Sequence, residues 1–351
     1  MSQEKTSYPV ISIAIATYNS EKTLEKTLKS IKKQTYPKNK IEVLIIDGGS
    51  KDKTLEIVKR YKYKIIPNPK VDFMSAKQIA FLKAKGKYLL YLDSDELLEN
   101  KRSLELKYFA FADNKNVKAV MPSGYKSPPN VSPINDYINE FGDPFTYFIY
   151  KDSKGFQYLI KDWPKKYSII ANNKNYLIFN FKKNSYLPQI ELFSGACMID
   201  LKFIKAKFPQ IKRDSALIPL MFYLLMENNN LLAVTKQDNT IHYSCESFQK
   251  YLKKINSRIK NNIFINSIGK GGFTGREKFH SDNLRFKKYL FIPYTFSLLM
   301  PLYDGTKLAI TRKNRVYLLH LYLCLYTSFF ILYFLSIKAL GINPTIKSWG
   351  N

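Results

Sequence analysis

Apolar residues arrive in two rhythms over the first hundred positions. Residues 10–16 and 41–46 are nearly continuous runs rich in Ile and Val, the signature of strands covered on both faces. Shorter runs at 63–66 and 88–92 repeat it. Between them, Leu24, Leu28 and Ile31 recur at helical spacing, as do Leu55, Val58 and Tyr61. Residues 75–84 read as a third helix, closed by Gly86. Ser20 and Asp52 stand where helix caps belong. Strand and helix in alternation predict a parallel sheet with crossover helices, an α/β fold. Further along, helices are expected at 102–112 and 217–226, and strands at 117–121, 193–199 and 240–241. From 122 to 190 the period fails, which predicts a loop-rich insertion on the acceptor side of a site.

The C-terminal part has a different texture. Residues 247–265 place Phe248, Leu252, Ile255, Ile259 and Ile263 on one helical face, with Lys250, Lys253, Lys254 and Lys260 mostly off it. Residues 236–288 hold 12 basic and 4 acidic side chains. A basic amphipathic helix suits an anionic membrane surface, and it equally suits an ordinary packed helix. Gly269, Gly271, Gly272 and Gly275 follow, without the Lys-Ser/Thr of a phosphate loop. Residues 289–303 are apolar but broken by Pro293 and Pro301, which favours a segment lying in the interface. Residues 316–337 are 22 positions with no charged side chain, long enough to span a bilayer. Arg312, Lys313 and Arg315 precede them and predict a cytoplasmic face for all that comes before. A buried helix of a soluble domain is the other reading. The expected organisation is therefore a domain at 1–245 with its insertion at 122–190. A basic amphipathic linker at 246–288 and a membrane-associated region at 289–342 complete it.

Charge sharpens this picture. The 351 residues include 56 Lys and Arg against 28 Asp and Glu, a formal net charge of +28. Such a surplus favours anionic partners such as phosphates or anionic lipid. No nucleic-acid recognition motif accompanies it, so no nucleic-acid partner is expected. Cys197, Cys245 and Cys324 are far apart and form neither a zinc spacing nor a disulfide framework, which fits a reducing compartment. The first apolar run is too short for a signal peptide.

Candidate chemistry collects where the predicted strands end. Thr17, Tyr18 and Asn19 end the first, Asp47 the second, and Asp93-Ser94-Asp95 the fourth. Ligands of open parallel sheets bind beyond the carboxyl ends of their strands. Carboxylates there suit a hard divalent cation and the phosphates it would bridge.

Four segments in order carry a resemblance: VISIAIATYN at 10–19, QTYP at 34–37, IIDGGSKDKT at 45–54 and LLYLDSD at 89–95. Together they resemble family 2 glycosyltransferases, strongly over 9–99 and moderately over 193–223. The resemblance implies the GT-A fold, a doubly wound and mainly parallel sheet, here followed by membrane-associated helices. It implies transfer with inversion from a UDP- or GDP-sugar, dependent on Mg²⁺ or Mn²⁺. The acceptor expected beside a membrane anchor is lipid-linked or otherwise membrane-associated. By the same resemblance Asp95 is the metal ligand, and Asp93 touches the ribose or a metal-bound water. Asp47 binds the base, and Thr17, Tyr18 and Asn19 flank base and ribose. Lys77 occupies a position that reaches the diphosphate. Asp214 is the candidate general base, with Arg213 where relatives carry Glu. His242 follows a strand in a region that completes the metal site in some GT-A enzymes; a structural role is its alternative. A nucleotidyltransferase would need a Gly-rich basic loop after the first strand, and residues 16–20 are not one. A membrane scaffold that keeps the fold without turnover stays open as the other alternative.

Overall fold

The structure is a computed structural model, and it describes residues 8–182, 187–265 and 273–344. Most of the glycine-rich stretch, including Gly269, Gly271 and Gly272, lies outside the described residues. In chain order the first elements are β1 (Ile11–Thr17), α1 (Leu24–Lys32), β2 (Ile41–Asp47), α2 (Thr54–Arg60), β3 (Lys64–Pro67), α3 (Phe73–Lys83) and β4 (Tyr88–Asp93). Of these, β1, β2, β3 and α3 start and end within two residues of their predicted bounds, and β4 runs one residue further. One detail differs: α1 starts at Leu24, after a turn in which the Ser20 carbonyl, not its side chain, accepts from the Leu24 N–H at 3.0 Å.

The next elements are β5 (Glu96–Leu98), α4 (Ser103–Asp113), β6 (Ala119–Met121), β7 (Gly124–Lys126), α5 (Ile134–Phe141), α6 (Pro144–Tyr150) and α7 (Phe156–Asp162). Then come β8 (Ser168–Asn172), β9 (Tyr176–Asn180), β10 (Cys197–Asp200), α8 (Leu201–Lys207), α9 (Met221–Asn228), β11 (Leu231–Thr235), β12 (Asn239–His242) and α10 (Phe248–Phe264). The main sheet has the order β3-β2-β1-β4-β10-β6-β11-β9-β8. β1 pairs in parallel with β2 and β4, and β2 with β3. β10 runs antiparallel between β4 and β6. A small second sheet, β5-β12-β7, stands at the end of β4.

The sheet is buried on both faces because its strands alternate between two cores. Ile11, Ile13 and Ile15 of β1 pack with Leu24, Leu28 and Ile57 on one side. Ala14, Leu44 and Tyr91 pack with Phe81, Ile204 and Phe222 on the other. A buried ion pair, Lys107 with Asp238, ties α4 to the turn before β12. Thr235 Oγ1 also donates to Asp238 at 2.7 Å, and the Asp238 N–H donates to Ser123 Oγ at 2.9 Å.

Two expectations need correcting. The segment 122–190 is not mainly loop: it carries three helices, β7 and the hairpin β8–β9, which closes one edge of the main sheet. Pairing with β11 supplies the order that its irregular sequence pattern did not announce. The helix at 248–264 is not a free linker either. Tyr251 and Ile255 are buried in a cluster with Tyr137 of α5 and with Leu308, Tyr317 and Leu323 further on. Its apolar face is thus satisfied by protein. Beyond it, helices Phe291–Phe296 and Leu299–Arg312 replace the single broken segment, and helix His320–Ala339 follows a short 3-10 turn. Residues Arg315–Ala339 are the described stretch long and apolar enough to cross a membrane.

Candidate active site

The parallel strands β1, β2 and β4 end side by side, with Thr17 opposite Asp47 and Ala16 opposite Asp93. This register alone gathers the three polar clusters on one edge. Asp93 forms an ion pair with the buried ammonium of Lys77, which also lies 4.7 Å from the Phe73 ring centre. Lys77 reaches it from the second turn of α3, whose start is fixed by Asp72 accepting from the Met74 N–H at 2.9 Å. Burial pushes the Asp93 carboxyl up and Lys77 pulls it back, while Asp95 adds a further upward push.

Asp95 gains a neighbour from far along the chain. β12 pairs with β5 so that His242 stands opposite Glu96, and the Tyr243 N–H donates to the Asp95 carbonyl at 3.0 Å. This puts His242 Nε2 3.7 Å from Asp95 Oδ2. The proton positions follow from the partners. Ser244 Oγ donates its one proton to Asn139 Oδ1, so it accepts from His242 Nδ1 at 3.0 Å. Nε2 is then left unprotonated and faces a carboxylate. Burial also holds the His242 imidazole down at about 4, so it is neutral near pH 7. Two facing acceptor atoms are relieved by a bridging cation, by a water, or by a proton on Asp95, whose carboxyl burial pushes up. Among the described residues no three His, Cys, Asp or Glu side chains form a complete metal cluster. A cation held by Asp95 and His242 would draw its remaining ligands from phosphate oxygens and water, as Mg²⁺ commonly does.

Glu96 locks this arrangement and was not singled out from the sequence. It is fully buried, accepts from the Asp93 N–H at 2.8 Å and from the Gly195 N–H at 2.9 Å, and takes the Tyr125 hydroxyl at 3.1 Å. Burial and the two neighbouring aspartates raise it well above the usual carboxylate range. Gly195 and Ala196 both have positive φ, +67° and +60°. A side chain at Gly195 would lie 2.5 Å from the Tyr125 hydroxyl, so the residue type is dictated by that close approach.

The remaining predicted residues divide. Thr17 Oγ1 donates to Asp47 Oδ1 at 3.1 Å, and Asp47 Oδ2 accepts from the N–H groups of Gly49 and Ser50 at 2.8 and 2.9 Å. Asp47 thus organises its own loop as well as facing the edge. Asn19, at φ +47°, accepts from the Lys51 N–H at 2.8 Å and stitches the β1 and β2 loops together, with Tyr18 beside it. Tyr18 lies within 3.2 Å of where a side chain at Gly48 would begin. Asp214 is exposed and caps the 3-10 turn Ser215–Leu220, its Oδ1 accepting from the Ala216 N–H at 2.9 Å. Among the described residues it makes no hydrogen bond or ion pair with the other site residues. Pro219 explains why this turn is 3-10 and not the first turn of a longer α-helix.

A polar cleft of about 200 Å³ opens beside Tyr125, walled by Asn139, Glu140 and Tyr158 and by Arg312, Asn314 and Tyr317. Tyr125 connects it to the acidic cluster, its ring lying 5.0 Å from that of His242.

Comparison with known proteins agrees with this geometry. The model of glycosyl transferase family 2 matches residues 12–176. The poly(ribitol-phosphate) beta-N-acetylglucosaminyltransferase TarS of Staphylococcus aureus is 36% identical over 102 residues, 27% of this chain and 17% of that protein. The UDP-Glc:alpha-D-GlcNAc-diphosphoundecaprenol beta-1,3-glucosyltransferase WfaP of Escherichia coli is 31% identical over 136 residues, 35% of this chain and 53% of that protein. The chain therefore matches between 17% and 53% of these relatives' own lengths. Among solved structures, the mannosyltransferase PcManGT from Pyrobaculum calidifontis, in complex with GDP-Man and Mn²⁺, superposes with a TM-score of 0.53 at 16% identity. That likeness covers 93% of this chain and 88% of that one, and at such identity it speaks for the fold. Sheet order, strand-end acids and sequence match lead to one assignment: residues 12–176 form a glycosyl transferase family 2 domain, and the fold is GT-A.

Proposed function

We propose that this chain transfers a sugar, with inversion, from a UDP- or GDP-sugar to a lipid-linked or otherwise membrane-associated glycan acceptor, with the domain on the cytoplasmic face. The observation that carries the reading is the facing pair of acceptor atoms on Asp95 and His242 at the edge of β4. Cell-envelope polysaccharide is the product class that fits the relatives above. The donor's base and ribose lie along Thr17, Tyr18, Asn19 and Asp47. Asp95 and His242, with Asp93 close by, would hold Mg²⁺ or Mn²⁺, which would supply Lewis-acid stabilisation of the departing diphosphate. Lys77 pairs with Asp93 and adds positive charge where the diphosphate arrives. The acceptor oxygen attacks the anomeric carbon as the bond to the diphosphate breaks. Asp214 takes the acceptor proton. One of its oxygens caps the turn, and the other has no hydrogen-bond partner among the described residues.

The test is donor turnover in detergent or lipid with a panel of UDP-, GDP- and dTDP-sugars and membrane-linked acceptors. Chelator-sensitive nucleotide release from one donor, lost in Asp95→Asn, is the expected result. Absence of release and of metal-dependent donor binding would leave the scaffold reading in its place.

A further inference from the structure

The helix His320–Ala339 turns apolar side chains both ways: Leu323, Cys324 and Phe334 are buried against the protein, and a second apolar set faces out. The side chains it turns toward the protein include His320, Thr327 and Ser328, all buried. His320 meets the hydroxyls of Tyr137 at 2.6 Å and Tyr294 at 2.9 Å. Ser328 donates to Thr295 at 2.9 Å. The side chains it turns outward are Tyr322, Phe329, Leu332, Tyr333 and Leu335, with Phe329 62% exposed. The preceding helical pair behaves the same way at its turn. Phe296, Leu298, Leu299, Met300 and Leu302 are all exposed there, Leu299 to 75%. The Thr295–Ser328 bond ties the helix before that turn to the buried side of the longer helix. An apolar surface this large, with polar groups sequestered behind it, is foreign to water.

Its neighbour α10 decides how it meets lipid. The two helices run in step along their whole lengths. Phe248 and Tyr322 rings are 5.8 Å apart at one end, and the Tyr326 hydroxyl donates to the Leu252 carbonyl at 3.3 Å. At the other end Phe264 and Phe334 are 6.3 Å apart, and Lys338 donates to the Ile263 carbonyl at 2.7 Å. α10 exposes Lys253, Lys254 and Arg258 from the middle of that run. A spanning posture would carry those charges through the hydrocarbon beside the helix, where ionised side chains are strongly disfavoured. A helix lying in the plane leaves them in water at headgroup level.

We infer that the chain docks on one leaflet of an anionic bilayer, with the helix His320–Ala339 lying in the membrane plane and the turn at 296–302 dipping beside it. Lys307, Lys313 and Arg315, exposed around this face, meet the lipid phosphates. The polar cleft walled by Arg312 and Tyr317 then opens at the membrane surface. This posture replaces the spanning helix expected from length and composition. It stands on packing and charge and not on the transferase reading, so vesicle binding is measured without donor or acceptor.

The full chain is floated with phosphatidylcholine vesicles, with and without phosphatidylglycerol. Binding is expected to strengthen with the anionic lipid and weaken with salt. Tyr322→Trp, Phe329→Trp and Leu335→Trp are then read against the unsubstituted chain with lipids brominated at shallow or deep acyl positions. In-plane docking predicts quenching at one common shallow depth for all three. Deep quenching at Phe329→Trp with shallow quenching at the other two would mean a spanning helix and overturn the inference. Leu299→Glu combined with Met300→Glu is expected to weaken flotation about tenfold or more with an unchanged unfolding midpoint. Unchanged flotation in that variant would also overturn it. So would failure to float on any vesicle together with a concentration-dependent dimer, since a second copy would then cover the face.

Discussion

The strand β1 and the helix His320–Ala339 are both strongly apolar, yet they use their apolar side chains in opposite directions. β1 is enclosed by helices on both faces of the sheet, and its Ile11, Ile13 and Ile15 are completely buried. The helix hides His320, Thr327 and Ser328 and shows Tyr322, Phe329, Leu332, Tyr333 and Leu335. Composition therefore identifies both as water-avoiding and says nothing about what excludes the water. In β1 the excluding medium is the protein's own second and third layers. In the C-terminal helix it is supplied from outside. The consequence is that the catalytic edge and the membrane face are separable: one depends on internal register, the other on an external solvent.

That separation makes its first and largest prediction at the site. Asp95→Asn keeps shape and removes a negative ligand. Loss of several kcal/mol of metal-borne stabilisation corresponds to a fall in turnover of about a thousandfold. Flotation with anionic vesicles should be unchanged. Loss of both together would mean that the two regions are coupled in a way the packing does not suggest. Next in size is the buried pair Lys107–Asp238, which holds the turn leading to His242. Lys107→Met leaves a buried carboxylate without its cation and should cost about 3–5 kcal/mol in urea unfolding. Adding Asp238→Leu should recover much of that loss, because both charges are then gone. If the single substitution is neutral, the pair is not the clamp described here.

Much of the donor side was legible in the sequence because it is local. Long β-branched runs announced β1 and β2, and the acids at 47, 93 and 95 stood directly at strand ends. What escaped depended on non-local pairing. β5 and β7 are three residues each, too short to show a period, while β12 was expected at 240–241 but without its partners. Only their pairing with one another brings His242 beside Asp95 and turns a lone histidine into a partner of the acidic cluster. Glu96 was hidden for a related reason: its partners, Gly195 and Tyr125, are 99 and 29 positions away. The hairpin β8–β9 was read as loop because order there comes from β11. Asp214 was found as a helix-opening residue and is one, and that capping role is independent of the proton transfer proposed for it.

The finest prediction compares one large apolar side chain from each region. Leu90, fully buried in β4, packs in the core against α1 and α4. Leu90→Ala removes its packing and leaves a cavity, and should cost about 2–5 kcal/mol. Phe329 is larger, and by size alone its truncation would be the more damaging. Its side chain points away from the protein, however, so Phe329→Ala opens no cavity and removes little internal contact. In detergent, its unfolding midpoint should match the unsubstituted chain to within about 0.5 kcal/mol. On vesicles the order reverses: Phe329→Ala should bind more weakly, and Leu90→Ala, while folded, should bind as before. A stability loss for Phe329→Ala in detergent comparable to that of Leu90→Ala would show that the outward face is packed against protein in solution, and the contrast drawn between the two regions would fail.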